Sequence, residues 1–286
     1  MNGNEMAAVT NRKLRPYFLW KCAIDRVLAA VLLLPALQLI GALIALIRIS
    51  SSGPAIYRQK RVGKDGRVFT MYKLRSMRID AETVTGPVWS AAGSDSRVTP
   101  LGYWLRKLHL DELPQLMNVI KGEMSLIGPR PERPEFVRVL NESIPDYATR
   151  LVIAPGITGL AQINLPPDTD LNSVRKKLVL DLEYVETAGF FLDLRMFVCT
   201  LARLFGIKGE IAMRLMRLKR MVQLAETMEN RLEPVANNDL TPDVIASTGE
   251  KTADVELTEI SSPRSMPRRK PDSPEDPGIL ATVSSN

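Results

Sequence analysis

Val27 to Ile47 reads VLAAVLLLPALQLIGALIALI, 21 residues without a charge. About 20 apolar residues in a helix are enough to cross the hydrocarbon core of a bilayer. A buried core helix is the plain alternative, but a run apolar on every side suits lipid better. It is too long for a signal-peptide core and no small-residue cleavage site follows it, so a cleaved signal is not expected. Both flanks are basic: Arg12, Lys13, Arg15, Lys21 and Arg26 come before, and Arg48, Arg58, Lys60, Arg61, Lys64 and Arg67 after. Basic segments stay on the cytoplasmic side of a membrane, and a single straight crossing cannot keep two of them there. Pro35 sits mid-run, where it deletes a backbone hydrogen bond and bends the helix. A re-entrant helix over residues 21–50, kinked at Pro35 and returning to the face it entered, satisfies both facts; a straight span is the alternative.

Charge is uneven beyond this segment as well. Residues 223–286 hold 6 Lys or Arg against 12 Asp or Glu, so of the overall net charge of +6 the first 222 residues carry +12. A basic body suits an anionic partner: phosphate, acidic lipid headgroups or nucleic acid. Nucleic acid ranks last, because aromatic content is 6% and no recognition motif is present. Cys22 and Cys199 form no C-x-x-C pair, which argues against a disulfide framework. His109 is the sole histidine, so chemistry has to rest on carboxylates, basic side chains and a hard metal ion.

The pattern along the chain predicts an α/β protein of the α+β type, mostly helical. A flexible basic lead-in (1–20) and the re-entrant helix (21–50) precede a catalytic domain over 51–208. Ala55–Val62 and Arg67–Met77 are strand-like and joined across Lys64-Asp65-Gly66, a β-hairpin signal. Asp80–Ser96 reads as loop. Thr99-Pro100 is an N-cap and first helical residue, with Leu101, Trp104, Leu105 and Leu108 as the apolar face. Asp111 is a plausible N-cap of the next helix, whose buried stripe is Leu113, Leu116, Met117 and Ile120 and which ends at Gly122. Val174–Thr187 and Leu192–Phe205 read as helices. Residues 209–232 read as a basic amphipathic helix lying on an anionic surface, or as a solvated helix packed on the domain. The Pro-, Ser-, Thr- and acid-rich tail, 233–286, is expected to be disordered.

Asp111 and Glu112 are the carboxylates best placed for chemistry. Carboxylates in a helix's first turn stay ionised, and the same helix end attracts phosphate. A phosphate beside two carboxylates calls for a cation between them, and hard oxygen ligands suit Mg²⁺. Capping alone also explains an Asp-Glu pair. The company it keeps favours phosphate chemistry: Lys73 and Arg75 end the hairpin, and Arg97, Arg106, Arg130 and Arg133 surround the pair in sequence. Pro129 and Pro131 grip Arg130, pre-setting a fork suited to phosphate oxygens.

These motifs, taken in order, resemble the bacterial sugar transferases, the monotopic phosphoglycosyl transferases that start exopolysaccharide and O-antigen assembly. The resemblance is carried by Gln59–Gly63, Tyr72–Met77, Asp95–Thr99, Leu105-Arg106, Leu110–Leu116, Asn118–Glu132, Pro155–Gln162 and Leu180–Val185, and it covers about residues 18–207. It implies amphipathic helices around an active site on the cytoplasmic face of the bacterial inner membrane. The implied reaction takes a phosphosugar from a nucleotide diphosphate-sugar, usually a UDP-sugar, to polyprenyl phosphate, with Mg²⁺ as cofactor. It further implies that Asp111 is a covalent nucleophile and that Glu112 holds metal or positions phosphate. By the same likeness Arg106 and Arg130 match the family's phosphate-binding positions, and Asp181 falls near the metal or the lipid phosphate. A homodimer and downstream glycosyltransferases are compatible partners. After Gln162 the family's usual Gly-Arg segment is replaced by Asn164–Asp170, so the sugar is not implied. The competing reading from another class is a catalytically silent membrane adaptor that binds anionic lipid.

Overall fold

The computed structural model describes residues 15–79, 81, 95–204, 207–224 and 281–285. Its first element, α1 (Tyr17–Ser50), has 34 residues and runs unbroken through Pro35. At 1.5 Å per residue it is about 51 Å long. It is the one helix among the described residues that is long and apolar enough to cross a membrane. A seam of Lys21, Asp25, Ala29, Ala36, Ile40, Leu43 and Ile47 is buried against the rest of the chain, at mostly three- and four-residue spacing. Leu19, Trp20, Ile24, Val27, Val31, Leu34, Leu37 and Leu46 are exposed on its other sides. A helix so apolar on its outward faces needs an apolar medium around it.

Both ends of α1 are pinned to the same folded body. At the N-terminal end Lys21 Nζ lies 2.5 Å from Asp193 Oδ2 and 3.0 Å from Asp25 Oδ2. Tyr17 and Tyr184 donate their hydroxyls to Asp193, each over 2.8 Å, and Ser125 Oγ donates to Asp25. At the C-terminal end Arg75 Nη2 donates to Ser51 O and Ser51 Oγ, at 2.9 and 2.7 Å.

The chain next forms the expected hairpin. Strands β1 (Ile56–Val62) and β2 (Val68–Leu74) pair antiparallel, from Ile56 opposite Leu74 to Val62 opposite Val68. The connection is a 3₁₀ turn, Lys64–Gly66, rather than a two-residue turn. Asp65 (φ 54°) and Gly66 (φ 74°) lie in the left-handed region that Asp and Gly tolerate best. The second strand stops at Leu74, short of the expected Met77, which makes only an isolated bridge to Val98. Helix α2 (Pro100–Lys107) starts as the sequence predicts: Thr99 Oγ1 accepts the Gly102 N–H at 2.9 Å. A Cβ at Gly102 would fall 1.9 Å from Ser76 O, so glycine lets α2 press against the end of the hairpin.

Asp111 is not the N-cap of an α-helix. His109, at φ 53°, opens a 3₁₀ helix over Leu110–Gln115, and α3 (Leu116–Lys121) follows from it. Pro114 has no N–H, which favours this tighter entry over a full α turn. In the predicted stripe Leu116 is buried but Met117 is exposed, and the buried neighbours are Asn118 and Val119. Gly122 ends α3 at φ 80°, as expected.

A short parallel pair, β3 (Ser125–Ile127) and β4 (Gly156–Thr158), sets Ser125 opposite Gly156 and Ile127 opposite Thr158. Helix α4 (Pro134–Ser143), a 3₁₀ segment (Tyr147–Val152), α5 (Leu160–Asn164), α6 (Leu171–Thr187) and α7 (Phe190–Leu204) complete the body. Asp170 and Ser173 form a reciprocal capping box at the start of α6. The amphipathic helix expected over 209–232 is corrected: α8 is only Gly209–Leu215 and β5 spans Arg220–Leu224. Arg217 takes a left-handed backbone (φ 53°), and Asn164 then holds the chain extended. Its Nδ2 donates to Leu218 O at 3.0 Å and its Oδ1 accepts the Arg220 N–H at 2.8 Å. Of the loop expected over Asp80–Ser96, residues 80 and 82–94 lie outside the described residues, as do 1–14 and 225–280. The expected disorder of the tail does not extend to β6 (Ala281–Ser285), which pairs antiparallel with β5.

Candidate active site

Three elements converge on Glu112. Lys73 projects from the end of β2, Glu112 sits in the 3₁₀ helix, and Arg130 stands in the Gly128-Pro129-Arg130-Pro131 loop after β3. Glu112 Oε1 accepts from Lys73 Nζ at 2.9 Å and from Arg130 Nη2 at 2.8 Å. The loop is fixed from behind, because Gly128 N donates to Thr158 O at 2.9 Å and Gly156 N donates to Pro129 O at 2.8 Å. A Cβ at Gly156 would fall 2.1 Å from Gly128 N, so glycine is required there for the loop to sit this close.

Asn118 supports the arrangement from below, wholly buried. Its Nδ2 donates to Thr70 O at 2.8 Å and to Glu123 Oε2 at 2.6 Å, and its Oδ1 accepts the Tyr72 N–H at 3.2 Å. It thereby ties β2, which carries Lys73, to α3, which continues from the carboxylate turn.

The adjacent carboxylates have different surroundings. Burial would raise the pKa of Glu112, but Lys73 and Arg130 outweigh it and hold the carboxyl well below the usual range. Asp111 is 6% exposed and makes no side-chain hydrogen bond or ion pair among the described residues. Burial raises its pKa; Lys73 opposes that rise and Glu112 adds to it. Burial and the nearby Arg130 lower the pKa of Lys73, while Glu112 works against them. One carboxylate is locked in place and the other is buried, basic and uncommitted. Environments that push two neighbouring carboxyls apart mark separate chemical roles.

The other predicted site residues divide. Arg106 Nε donates to Ser76 Oγ at 3.1 Å, and its charge acts on Asp111, so it belongs to this centre. Arg75, expected in the phosphate set, is 8% exposed and gives its Nη2 to Ser51 at the end of α1, while its Nη1 is buried without a hydrogen-bond partner. Arg133 turns toward its own helix, with Nε 3.7 Å from Glu135 Oε2 and its guanidinium 6.0 Å from the Phe136 ring centre. Asp181 is separate from the Asp111-Glu112 pair, buried in an ion pair with Arg150 at 2.7 Å. Among the described residues no three of His, Cys, Asp and Glu converge as a metal cluster. Asp111 and Glu112 still match the way Mg²⁺ is often held, by one or two carboxylates together with substrate phosphates.

Asn118 and Arg150 were not singled out by the sequence. Asn118 is one polar residue inside an apolar stripe, a signal that was available. Arg150 pairs across 31 positions, and nothing local announces it.

An uncommitted buried carboxylate thus stands beside a clamped one among fixed cations, on a body that also carries a long apolar helix. The chain belongs to the bacterial sugar transferase family, whose model matches residues 16–206. It is similar to the UDP-glucose:undecaprenyl-phosphate glucose-1-phosphate transferase of Caulobacter vibrioides, 40% identical over 189 residues, 64% of this chain and 69% of that one. Over 186 residues it is 38% identical to a Xanthomonas campestris pv. campestris protein of the same name, covering 64% of this chain and 38% of the other. With the UDP-N-acetylgalactosamine-undecaprenyl-phosphate N-acetylgalactosaminephosphotransferase of Aeromonas hydrophila, identity is 43% over 168 residues, 58% of this chain and 39% of that one. The chain thus spans about two fifths of the length of the latter two relatives.

Proposed function

We propose that this chain transfers a sugar 1-phosphate from a UDP-sugar to undecaprenyl phosphate at the cytoplasmic face of the inner membrane, initiating glycan assembly. Family membership supports this reading, and the observation that carries its chemistry is the contrast between clamped Glu112 and uncommitted Asp111. An Asp111 oxygen attacks the sugar-bearing phosphorus. The bond from that phosphorus to the bridging oxygen breaks, and nucleoside monophosphate leaves with the oxygen. A phosphate oxygen of the lipid then attacks the same phosphorus, and the aspartyl bond breaks to restore the carboxylate. Two in-line displacements at one phosphorus result, with the sugar retained throughout. Arg106 and Arg130 stabilise charge on the phosphoryl oxygens. Lys73 keeps Glu112 ionised and oriented. Mg²⁺ held by Glu112, Asp111 and the diphosphate would neutralise charge at the phosphoryl centre.

The membrane segment is read as re-entrant, with Pro35 as its bend. Basic flanks on both sides of the apolar run support this, and so does the attachment of both ends of α1 to one body. Exposed apolar side chains on α2 (Tyr103, Trp104), α7 (Phe190, Phe191) and α8 (Ile211, Leu215) suit an interfacial setting.

The test uses purified protein in lipid nanodiscs with Mg²⁺, undecaprenyl phosphate and a panel of UDP-sugars. Release of UMP together with a sugar-bearing lipid is expected for one donor, and Asp111→Asn should lower it by roughly a thousandfold or more. Equal release from the variant would refute the covalent route. Lipid-anchor activity with no UMP from any donor would favour the adaptor reading.

A further inference from the structure

Asp181 and Arg150 are buried, strongly paired and outside the phosphoryl-transfer steps. Asp181 is 2% exposed and Arg150 6%. One carboxylate oxygen, Asp181 Oδ2, accepts from Arg150 Nε at 2.8 Å and lies 2.7 Å from Arg150 Nη2. The opposite edge of the guanidinium is also used, since Nη1 donates to the Tyr147 hydroxyl at 2.9 Å. Arg150 Nη2 further donates to the main-chain carbonyl of Arg130 at 2.8 Å. A planar guanidinium held along two edges has its remaining direction fixed, and that direction ends on Arg130.

The same residue, Arg130, reaches Glu112 with its side chain. Its main chain is held on the other flanks too: Gly156 N donates to Pro129 O, and Arg61 Nη1 donates to Pro131 O at 3.1 Å. Its side chain is 42% exposed and ends on Glu112, so the backbone anchors set the direction from which it reaches that carboxylate.

We infer that Asp181 is a positioning residue, not a metal ligand: it locks Arg150, and Arg150 locks the Arg130 carbonyl so that the Arg130 guanidinium faces Glu112 and an incoming phosphate. Two features oppose a metal role. The carboxylate is engaged by a permanent cation inside the core, and among the described residues it does not converge with the Asp111-Glu112 pair into a three-carboxylate group. The inference rests on the proposed transferase reading for its kinetic test and stands apart from it in its structural one.

The kinetic test is a double-mutant cycle in nanodiscs. Asp181→Asn keeps an acceptor for Arg150 and removes the charge. It should lower kcat by about tenfold, as displacement of a phosphate-orienting group does, leaving donor KM and the Mg²⁺ concentration for half-maximal rate within about twofold. Combined with Arg130→Lys, it should lower the rate no further than Arg130→Lys alone. Multiplicative losses would overturn the inference, since a merely structural role is blind to Arg130. A tenfold rise in required Mg²⁺ would overturn it in favour of a metal ligand. If Asp181→Asn does not fold, Arg150→Lys takes its place, because a lysine can pair with Asp181 but cannot also span to the Arg130 carbonyl. The second measurement needs no turnover: in the structure of either variant the Arg130 guanidinium should leave Glu112, and an unmoved Arg130 refutes the inference. Wild-type protein with no UMP release would defeat the transferase reading alone.

Discussion

Replacing Lys73 with Met keeps most of the side chain's length and volume while deleting its charge. In the native site Lys73 Nζ is 2.9 Å from Glu112 Oε1, with the two side chains 17% and 12% exposed. Breaking a buried ion pair costs about 3–5 kcal/mol when the remaining charge is abandoned. Here Arg130 retains its hold on the same oxygen at 2.8 Å, so the loss is closer to one charge-assisted hydrogen bond, about 2 kcal/mol. For a domain of this size that lowers the melting temperature by about 4–8 °C. The second consequence falls on Asp111. Burial holds its pKa up, and Lys73 is the largest influence pulling it down. Without Lys73 the pKa climbs further. In the proposed mechanism the attacking form is the ionised one, present above that pKa and lost as pH falls through it. The acid limb of the rate profile should therefore move to higher pH in Lys73→Met. Thermal unfolding in detergent reads the first effect, and UMP release between pH 5 and 9 reads the second. A folded variant with wild-type melting and an unmoved acid limb would refute the coupling of Lys73 to both carboxylates.

Asn118→Leu removes three hydrogen bonds from a site with no exposure and strands Thr70 O and Tyr72 N; a loss of about 3 kcal/mol is expected in thermal unfolding, with activity falling as the Lys73 strand loosens. Lys21→Met leaves Asp25 and Asp193 buried without their shared cation and should cost about 3–5 kcal/mol, partly recovered in the double variant Lys21→Met/Asp193→Asn. Chelation of divalent ions should abolish UMP release, Mg²⁺ should restore it, and Glu112→Gln should raise the Mg²⁺ needed for half-maximal rate; full activity in EDTA would exclude a metal role.

Local physics was legible in the sequence and long-range pairing was not. The hairpin, the Thr99 cap and the Gly122 stop follow from residues within a turn of one another. The Asp111 cap failed because Asp at a helix start looks the same before an α turn and before a 3₁₀ turn, and the choice lay with His109 and Pro114. The helix expected to run on from Gly209 stops at Leu215 because Asn164, 56 residues before Arg220, supplies hydrogen bonds that keep the following chain extended. Lys73 and Arg130 contact Glu112 and Arg106 acts on Asp111, in the neighbourhood where basic residues concentrate in sequence. Arg75 and Asp181 were placed there by proximity and resemblance. Their real partners, Ser51 and Arg150, are 24 and 31 positions away. Charge density can indicate a site, but it does not say which cation faces which acid.

The two anchors of α1, Lys21 on Asp193 and Ser51 on Arg75, tie the apolar helix at both ends to the folded body. Whatever bilayer holds the helix also sets the height of Asp111 above it, as a rigid gantry sets the height of its tool. On the proposed function, a lipid phosphate carried in the same bilayer would arrive at a level fixed by its own headgroup. Meeting it would then require only lateral diffusion, a search in two dimensions.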